Sequence, residues 1–89
     1  MESHRATIRQ DGRELITTEV LLSGELDGDK WVAEFDAPDR APIWRDLDGK
    51  MNISLDDGRS GEMVCYKKTP GNGFMRVTCH GNSKLLCSF

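Results

Sequence analysis

The sequence has no long apolar run and few cysteines, and each of these absences excludes a class of protein. The longest purely aliphatic run is Val20-Leu21-Leu22, far shorter than the roughly 20 residues that a membrane-spanning helix needs. The first twelve residues are charged and contain no apolar core, so we expect no signal peptide. Three cysteines, an odd number, argue against a closed disulfide framework. Together these features predict a cytoplasmic protein that does not enter a membrane.

Signatures of catalysis and of metal binding are also missing. The sequence contains no His-Glu-x-x-His, Gly-x-Ser-x-Gly or phosphate-loop run, so we expect neither enzymatic activity nor a cofactor. A zinc site usually has ligands in close pairs, but Cys65, Cys79 and Cys87 are separated by 14 and 8 positions. Cys79 and His80 are neighbours on a predicted strand and so point to opposite faces. We therefore expect three free thiols and no metal ion.

The apolar content is low for a compact protein. Hydrophobic residues make up 37% and aromatic residues 7% of the 89 residues. A chain of this length forms one domain, which we place at residues 1–89. A domain of this size buries only about 60–65% of the surface of its unfolded chain, so we expect modest stability. A core this thin makes a homodimer one expectation.

Four Asp-Gly pairs divide the chain into segments in which apolar and polar residues alternate. The pairs lie at positions 11–12, 27–28, 48–49 and 57–58. Asp-Gly is the strongest short-range hairpin signal, because Gly supplies the positive φ of a tight turn. The alternation predicts strands over 4–10, 14–26, 30–36, 50–56, 62–68, 74–80 and 85–89. A helix over 11–24 is the competing interpretation of the second segment, and two prolines followed by Ile43, Trp44 and Leu47 predict one or two helical turns after the third strand.

These segments predict an all-β fold: a small single-domain antiparallel barrel or roll of six to seven short strands with one short helical plug. Closure into a barrel removes exposed sheet edges. The inward residues of the hairpin-linked strands share parity, so we expect them to be buried in one interior. They are Ile16, Val20, Trp31, Phe35, Met51, Ile53 and Leu55.

Acidic residues are absent from the last third of the chain. Residues 1–62 contain all 15 Asp and Glu and 8 of the 12 Lys and Arg, whereas residues 63–89 contain four bases and no acid. On the sixth predicted strand an aromatic residue, an Arg and a His share one face, as in barrels that bind single-stranded nucleic acid. This pattern predicts an alternative function, which is nucleic-acid or small-anion binding by the basic C-terminal strands. Its site residues would be Lys67, Lys68, Phe74, Arg76, His80 and Lys84.

The net charge of −3 opposes binding to a polyanion. We therefore expect a non-enzymatic binding or adaptor module that presents a surface to a protein partner, with nucleic acid kept as the alternative partner. Exposed apolar residues of that surface would lie around the proline-rich segment, at Ile43 and Trp44. The two functions predict different surfaces: an adaptor would have carboxylates among the C-terminal bases, and a nucleic-acid binder would have none.

Two short motifs resemble those of the PilZ barrels, which bind cyclic dinucleotides. The motifs are Arg5-x-x-x-Arg9 and Asn52-x-Ser54. In the family pattern a Gly follows the Ser by three positions, whereas Asp57 stands there in this chain and Gly58 comes one position later. Two predicted strands and the plug also separate the two motifs. On the sequence alone we do not assign the chain to this family.

Overall fold

The computed structural model describes residues 1–25, 28–38 and 49–87, and these form strands and turns without a helix. The strands are β1 (Glu2–Gln10), β2 (Arg13–Gly24), β3 (Trp31–Pro38), β4 (Lys50–Leu55), β5 (Arg59–Pro70), β6 (Phe74–Gly81) and β7 (Leu86–Cys87). The predicted all-β fold is confirmed, and the second segment is a strand rather than a helix. The predicted plug, with Ile43 and Trp44, falls in 39–48 and lies outside the described residues. A helix long and apolar enough to cross a bilayer does not occur in the described part of the chain.

Six of the strands close into an antiparallel barrel. Going around it, the neighbours are β1, β2, β3, β6, β5 and β4, and β4 pairs again with β1. This last pairing joins residues 6–9 of β1 to residues 52–55 of β4. The short strand β7 is an addition to the barrel: within the described residues it pairs with the first two residues of β5, Arg59 and Ser60.

Two tight turns agree with the Asp-Gly signal. Between β1 and β2, Asp11 and Gly12 have φ angles of 54° and 78°, as a type I′ hairpin turn requires. Between β4 and β5, the amide of Gly58 donates to the carbonyl of Leu55 at 3.1 Å. This compact turn lets β5 begin at Arg59, three residues before the predicted start of the fifth strand.

The interior holds the residues that alternation pointed inward. Of the predicted set, Val20, Trp31, Phe35, Met51, Ile53 and Leu55 are buried. Ile16 is half-buried and packs against this core. Trp31 is the largest fully buried side chain, and its indole N–H donates to the carbonyl of Ser83 at 2.7 Å. Its ring lies directly on the backbone of Gly81, where a Cβ atom would collide with it.

Candidate binding surface

The basic residues predicted as a C-terminal site do not form one face of the barrel. Arg76 and His80 are exposed on β6, and Lys67 is exposed on β5. Lys68 is half-buried and stands in register with a buried residue of β6. Lys84 lies in the connection between β6 and β7. The structure therefore brings part of the predicted set to one surface and leaves Lys68 and Lys84 apart from it.

Carboxylates from β3 lie among the bases of β6. Arg76 donates to Asp36 through Nε to Oδ1 at 2.7 Å and through Nη2 to Oδ2 at 3.4 Å. This hydrogen bond raises the pKa of Arg76. Glu34 lies two residues before Asp36 and is in register with Thr78. The outer surface of β3 and β6 thus has mixed charge, which is the arrangement expected of an adaptor.

One line of side chains crosses the outside of the barrel from β1 to β5. Residues that pair across antiparallel strands project to the same side of a sheet, so the register identifies this line. We call it the outer row, and its members are Ser3, Leu21, Glu34, Thr78 and Lys67, on β1, β2, β3, β6 and β5 in that order. Leu21 is 40% exposed, whereas Thr78 in the middle of the row is only 9% exposed.

Two shallow grooves run along the outer row. The first has a volume of about 340 Å³ and lies between β2 and β3, with Glu19 and Leu21 on one side and Glu34 on the other. The second has a volume of about 320 Å³ and lies over β5 and β6, with Lys67 and Phe74 in its wall. Glu34 and Arg76 line both, so the grooves adjoin. Three of the predicted site residues, Lys67, Phe74 and Arg76, therefore share one groove.

Three polar side chains of the outer row, those of Glu34, Thr78 and Lys67, form no hydrogen bond and no ion pair within 4 Å among the described residues. The fourth, Ser3, donates a hydrogen bond to Glu19. The charge of Glu34 adds to the hydrogen bond with Asp36 in raising the pKa of Arg76, so Glu34 acts on Arg76 at longer range. Thr78 is 9% exposed and lines the second groove. A ligand in the grooves would meet the carboxylate of Glu34, the ammonium group of Lys67 and the hydroxyl of Thr78.

A bulge exposes an aromatic residue beside these grooves. The register of β5 shifts at Tyr66, which is the extra residue of the bulge. Tyr66 is 57% exposed, and its ring centroid lies 5.3 Å from that of His80 at an interplanar angle of 48°. Val32 and Val64 flank His80 in register and are half-buried. We call Val32, Val64, Tyr66 and His80 the aromatic patch.

Sequence patterns missed most of this surface. No sequence signal marks the bulge that turns Tyr66 onto His80. Glu34 and Thr78 were not predicted as site residues, because only the pairing of β3 with β6 places them side by side. The alternation of β3 marks Glu34 as outward, and this is the one signal that was available.

A second group of charges lies where β1 begins and where β4 turns into β5. His4 contacts Glu2 through Nε2 at 2.7 Å and Asp56 through Nδ1 at 3.1 Å. Arg59 donates to Glu2 and to Asp57, each at 2.8 Å. We call Glu2, His4, Asp56, Asp57 and Arg59 the charged clasp. It ties the first strand to the β4–β5 turn.

The contacts within the charged clasp shift the pKa values of its side chains in the directions that favour their charged forms. The hydrogen bond to Glu2 raises the pKa of His4, and the nearby Asp56 and Asp57 add to this effect. The hydrogen bond to His4 lowers the pKa of Glu2, and the hydrogen bond to Arg59 lowers that of Asp57. Neither this clasp nor any other part of the described chain groups three His, Cys, Asp or Glu side chains in an arrangement that could hold a metal ion.

The three cysteines are free thiols in three different environments. Cys79 is buried, Cys65 is half-buried and Cys87 is exposed. Burial raises the pKa of the Cys79 thiol well above its ordinary value. Because the thiolate is the reactive form, Cys79 is suited to packing rather than to nucleophilic chemistry.

The fold brings together the two motifs that resemble those of PilZ barrels. β1 and β4 are hydrogen-bonded neighbours, with Arg9 in register with Asn52. The Nη1 of Arg9 donates to the Oγ of Ser54 at 3.3 Å, and Glu14 lies 4.0 Å from the same guanidinium group. The two motifs are far apart in the sequence, but the pairing of β1 with β4 makes them adjacent in the barrel. Their separation along the chain is therefore not a valid reason against the resemblance.

Comparison with known proteins leaves the chain without a family. No protein-family model, no curated protein and no solved structure matches it.

Proposed function

We propose that the protein is a non-enzymatic binding module that docks a protein partner on its outer barrel surface, with the aromatic patch at the centre of the contact. The observation that carries this proposal is the placement of Tyr66, which a bulge turns onto His80 and which is 57% exposed. Tyr is enriched among the residues that dominate binding energy at interfaces. Half-buried valines on both sides supply the apolar surroundings in which such a residue acts.

The charges around the aromatic patch support a protein partner. Arg76 is already paired with Asp36, and Glu34 lies beside it on the same surface. Binding to a polyanion depends on neutralising phosphates with free bases, which a mixed surface on a chain of net charge −3 does poorly. Mixed charges at the rim of an interface instead favour a specific protein partner.

The test compares the wild type with two truncations of exposed apolar side chains. Proteins retained from an extract of the source organism would be identified and purified, and their affinity for each variant measured. Tyr66→Ala should weaken binding about tenfold or more. Leu86→Ala is the matched control, because Leu86 is 63% exposed on β7, outside the patch. Retention of the same proteins at the same affinity by Tyr66→Ala would refute the proposal.

The partner in this proposal includes a second copy of the chain. Sedimentation of the purified protein over a range of concentrations measures self-association directly. A homodimer formed through the aromatic patch should dissociate to monomers in Tyr66→Ala and persist in Leu86→Ala.

A second candidate function is the binding of nucleic acid or of a small phosphate-bearing anion. Two observations favour it. Lys67 and Phe74 line one groove, so a base could stack beside a free ammonium group. Arg9, which donates to Ser54, is a second basic group on the barrel surface, and the short PilZ-like motifs that contain these two residues suggest a cyclic dinucleotide as one probe.

Titration at low salt separates the two candidates. A labelled single-stranded oligonucleotide and a cyclic dinucleotide would be titrated against the wild type, Lys67→Ala and Arg9→Ala. Micromolar binding that weakens steeply with salt would support the second candidate and count against the adaptor. The variant that loses binding identifies the groove or the Arg9 surface as the site, and no binding of either probe removes this candidate.

A further inference from the structure

We propose that the outer row binds an extended peptide segment of the partner, which crosses the strands with an apolar side chain, a Lys or Arg and a carboxylate in that order. This inference rests on the proposed function, because it gives the chemistry of the segment that docks beside the aromatic patch. It concerns different residues from the patch itself, so the two can be tested separately.

The length of the grooves fits a short extended segment. Leu21 and Lys67 lie on β2 and β5, with β3 and β6 between them. Three steps between neighbouring strands span about 14 Å. An extended chain advances about 3.3 Å per residue, so four or five residues cover this distance. Two grooves, of about 340 and 320 Å³, lie along it and share Glu34 and Arg76 in their walls.

The charges along the path determine the order of side chains in the peptide. The first groove is lined by three carboxylates, those of Glu19, Glu34 and Asp36, with Arg76 as its one base. Asp36 is occupied by Arg76 and Glu19 accepts a hydrogen bond from Ser3 at 2.6 Å, whereas Glu34 has no such partner among the described residues. Glu34 also attracts Arg76 at longer range. Three carboxylates against one base still leave the groove negative, so a peptide Lys or Arg is attracted to Glu34.

The other end of the path attracts a carboxylate. Lys67 is exposed on the wall of the second groove and has no ion pair within the described part of the chain. Glu34 and Lys67 are two strand steps apart, which is about 10 Å. The cation and the carboxylate of the peptide should therefore be separated by two or three residues.

Between Glu34 and Lys67, the hydroxyl of Thr78 is placed to form a hydrogen bond with the peptide. Thr78 is 9% exposed and lines the second groove, and its hydroxyl bonds to no described residue. No buried polar side-chain atom of the described residues lacks a partner, so this hydroxyl is open to solvent. A backbone amide or carbonyl of the segment can therefore bond to it. Leu21, which is 40% exposed, supplies an apolar contact at the β2 end of the path.

The test uses two blocked peptides of the same composition and the full chain labelled with ¹⁵N. The matching peptide is leucine, arginine, serine, serine and glutamate in that order, and in the control peptide arginine and glutamate are exchanged. The matching peptide should shift the amide signals of Leu21, Glu34, Lys67 and Thr78, and bind more tightly than the control. Glu34→Gln or Lys67→Met should each weaken it about two- to fivefold. Equal binding of both peptides, or shifts confined to other residues, would overturn the inference.

Exchanging the two charges in the protein gives a test that depends on the preference between the two peptides and not on their absolute affinity. Glu34→Lys combined with Lys67→Glu keeps the net charge and should reverse the preference between the two peptides. An unchanged preference would contradict the inference. A third peptide of leucine, arginine, serine and serine with a free carboxyl end decides whether Lys67 takes a terminal carboxylate as well as an acidic side chain.

The outcomes for the two proposals can be told apart. If a partner binds in a manner that depends on Tyr66 but neither peptide discriminates, the outer row is not the peptide site and the proposed function stands. If the wild type retains no partner that Tyr66→Ala loses, the proposed function fails and the peptide inference fails with it.

Discussion

The charged clasp and the outer row are both made of outward side chains, but they differ in how far their polar groups are paired. In the clasp, His4 contacts carboxylates through both ring nitrogens and Arg59 contacts two more. In the outer row, Glu34, Thr78 and Lys67 form no side-chain hydrogen bond or close ion pair among the described residues, and Glu34 acts on Arg76 only at longer range. Because a paired cluster has little left to offer a ligand, we propose that the clasp has a structural role and that the outer row is the surface that binds.

The difference follows from where opposite charges fall on the strands. Glu2 and His4 are two residues apart on β1, and Asp57 and Arg59 are two residues apart at the β4–β5 turn. Residues two apart share a face of a strand, so opposite charges at this spacing meet directly. In the outer row the strand β6 stands between Glu34 and Lys67. Strand order, rather than composition, thus decides which charges pair.

We expect the buried interior, rather than the charged clasp or the outer row, to make the largest contribution to the free energy of unfolding. Ile53 is fully buried and is in register with the equally buried Ile8 of the neighbouring strand. Ile53→Ala should lower the free energy of unfolding by about 2–4 kcal/mol, because it removes buried contacts and leaves a cavity. Urea unfolding followed by tryptophan fluorescence measures this, with Leu86→Ala as the exposed control. A loss below about 1 kcal/mol would contradict the burial of Ile53.

This interior is the part of the fold that sequence patterns predict well. Alternation fixes which side chains of one strand share a face, so the burial of Met51, Ile53 and Leu55 could be predicted before any pairing was known. Asp11 and Gly12 fixed the first hairpin in the same local way. The closure of β1 on β4 was beyond reach, because it joins residues more than 40 positions apart and no local pattern records it.

The next largest effect should come from the charged clasp. Arg59 donates to Glu2 and Asp57 and only 22% of its side chain is exposed. Arg59→Met keeps the apolar stem and removes the charge, and it should cost about 1 kcal/mol of unfolding free energy in urea. The matched control is Arg13→Met, because Arg13 is exposed on β2 and forms no ion pair within the described residues. Equal effects of the two substitutions would mean that the clasp contributes no stability.

The clasp should also make stability depend on pH. The contact with Glu2 raises the pKa of His4 above its ordinary value of 6.5. The protonated His4 is therefore favoured by folding, so its contribution is complete below pH 6.5 and is lost as the pH rises through the raised pKa. The pKa values of Glu2 and Asp57 are lowered from 4.5 and 3.8, so their contributions are complete above those values and are lost as the pH falls.

The clasp should therefore stabilise most between about pH 4.5 and pH 6.5. The measurement is the difference in melting temperature between the wild type and His4→Gln, which should be largest in this window and should shrink towards pH 9. The NMR titration of His4 gives an independent check, since Glu2→Gln should lower the pKa of His4. A difference in melting temperature that is constant across the pH range would rule out this role.

The candidate surface was harder to predict than the fold, for a physical reason. Lys67, Phe74 and Arg76 could be grouped from the sequence, because they lie on one hairpin whose turn is visible in Gly71 and Gly73. The carboxylates opposite them could not, since Glu34 and Asp36 reach β6 through a pairing between strands that are distant in the chain. The absence of acids from residues 63–89 suggested a basic face, but the carboxylates of β3 neutralise part of its charge.

The smallest effect on stability should come from removing the charges of Glu34 and Lys67 in the outer row. This experiment is also the most direct test of the difference between the outer row and the charged clasp. Glu34→Gln and Lys67→Met should each change the free energy of unfolding by less than about 0.5 kcal/mol, because neither removal leaves a partner unsatisfied. The double variant should equal the sum of the two, so the coupling energy of a double-mutant cycle in urea should be near zero. A coupling comparable to the loss in Arg59→Met would mean that Glu34 and Lys67 pair with each other over Thr78 in solution. The outer row would then be a second clasp, and a peptide would have to break that pair before it could bind.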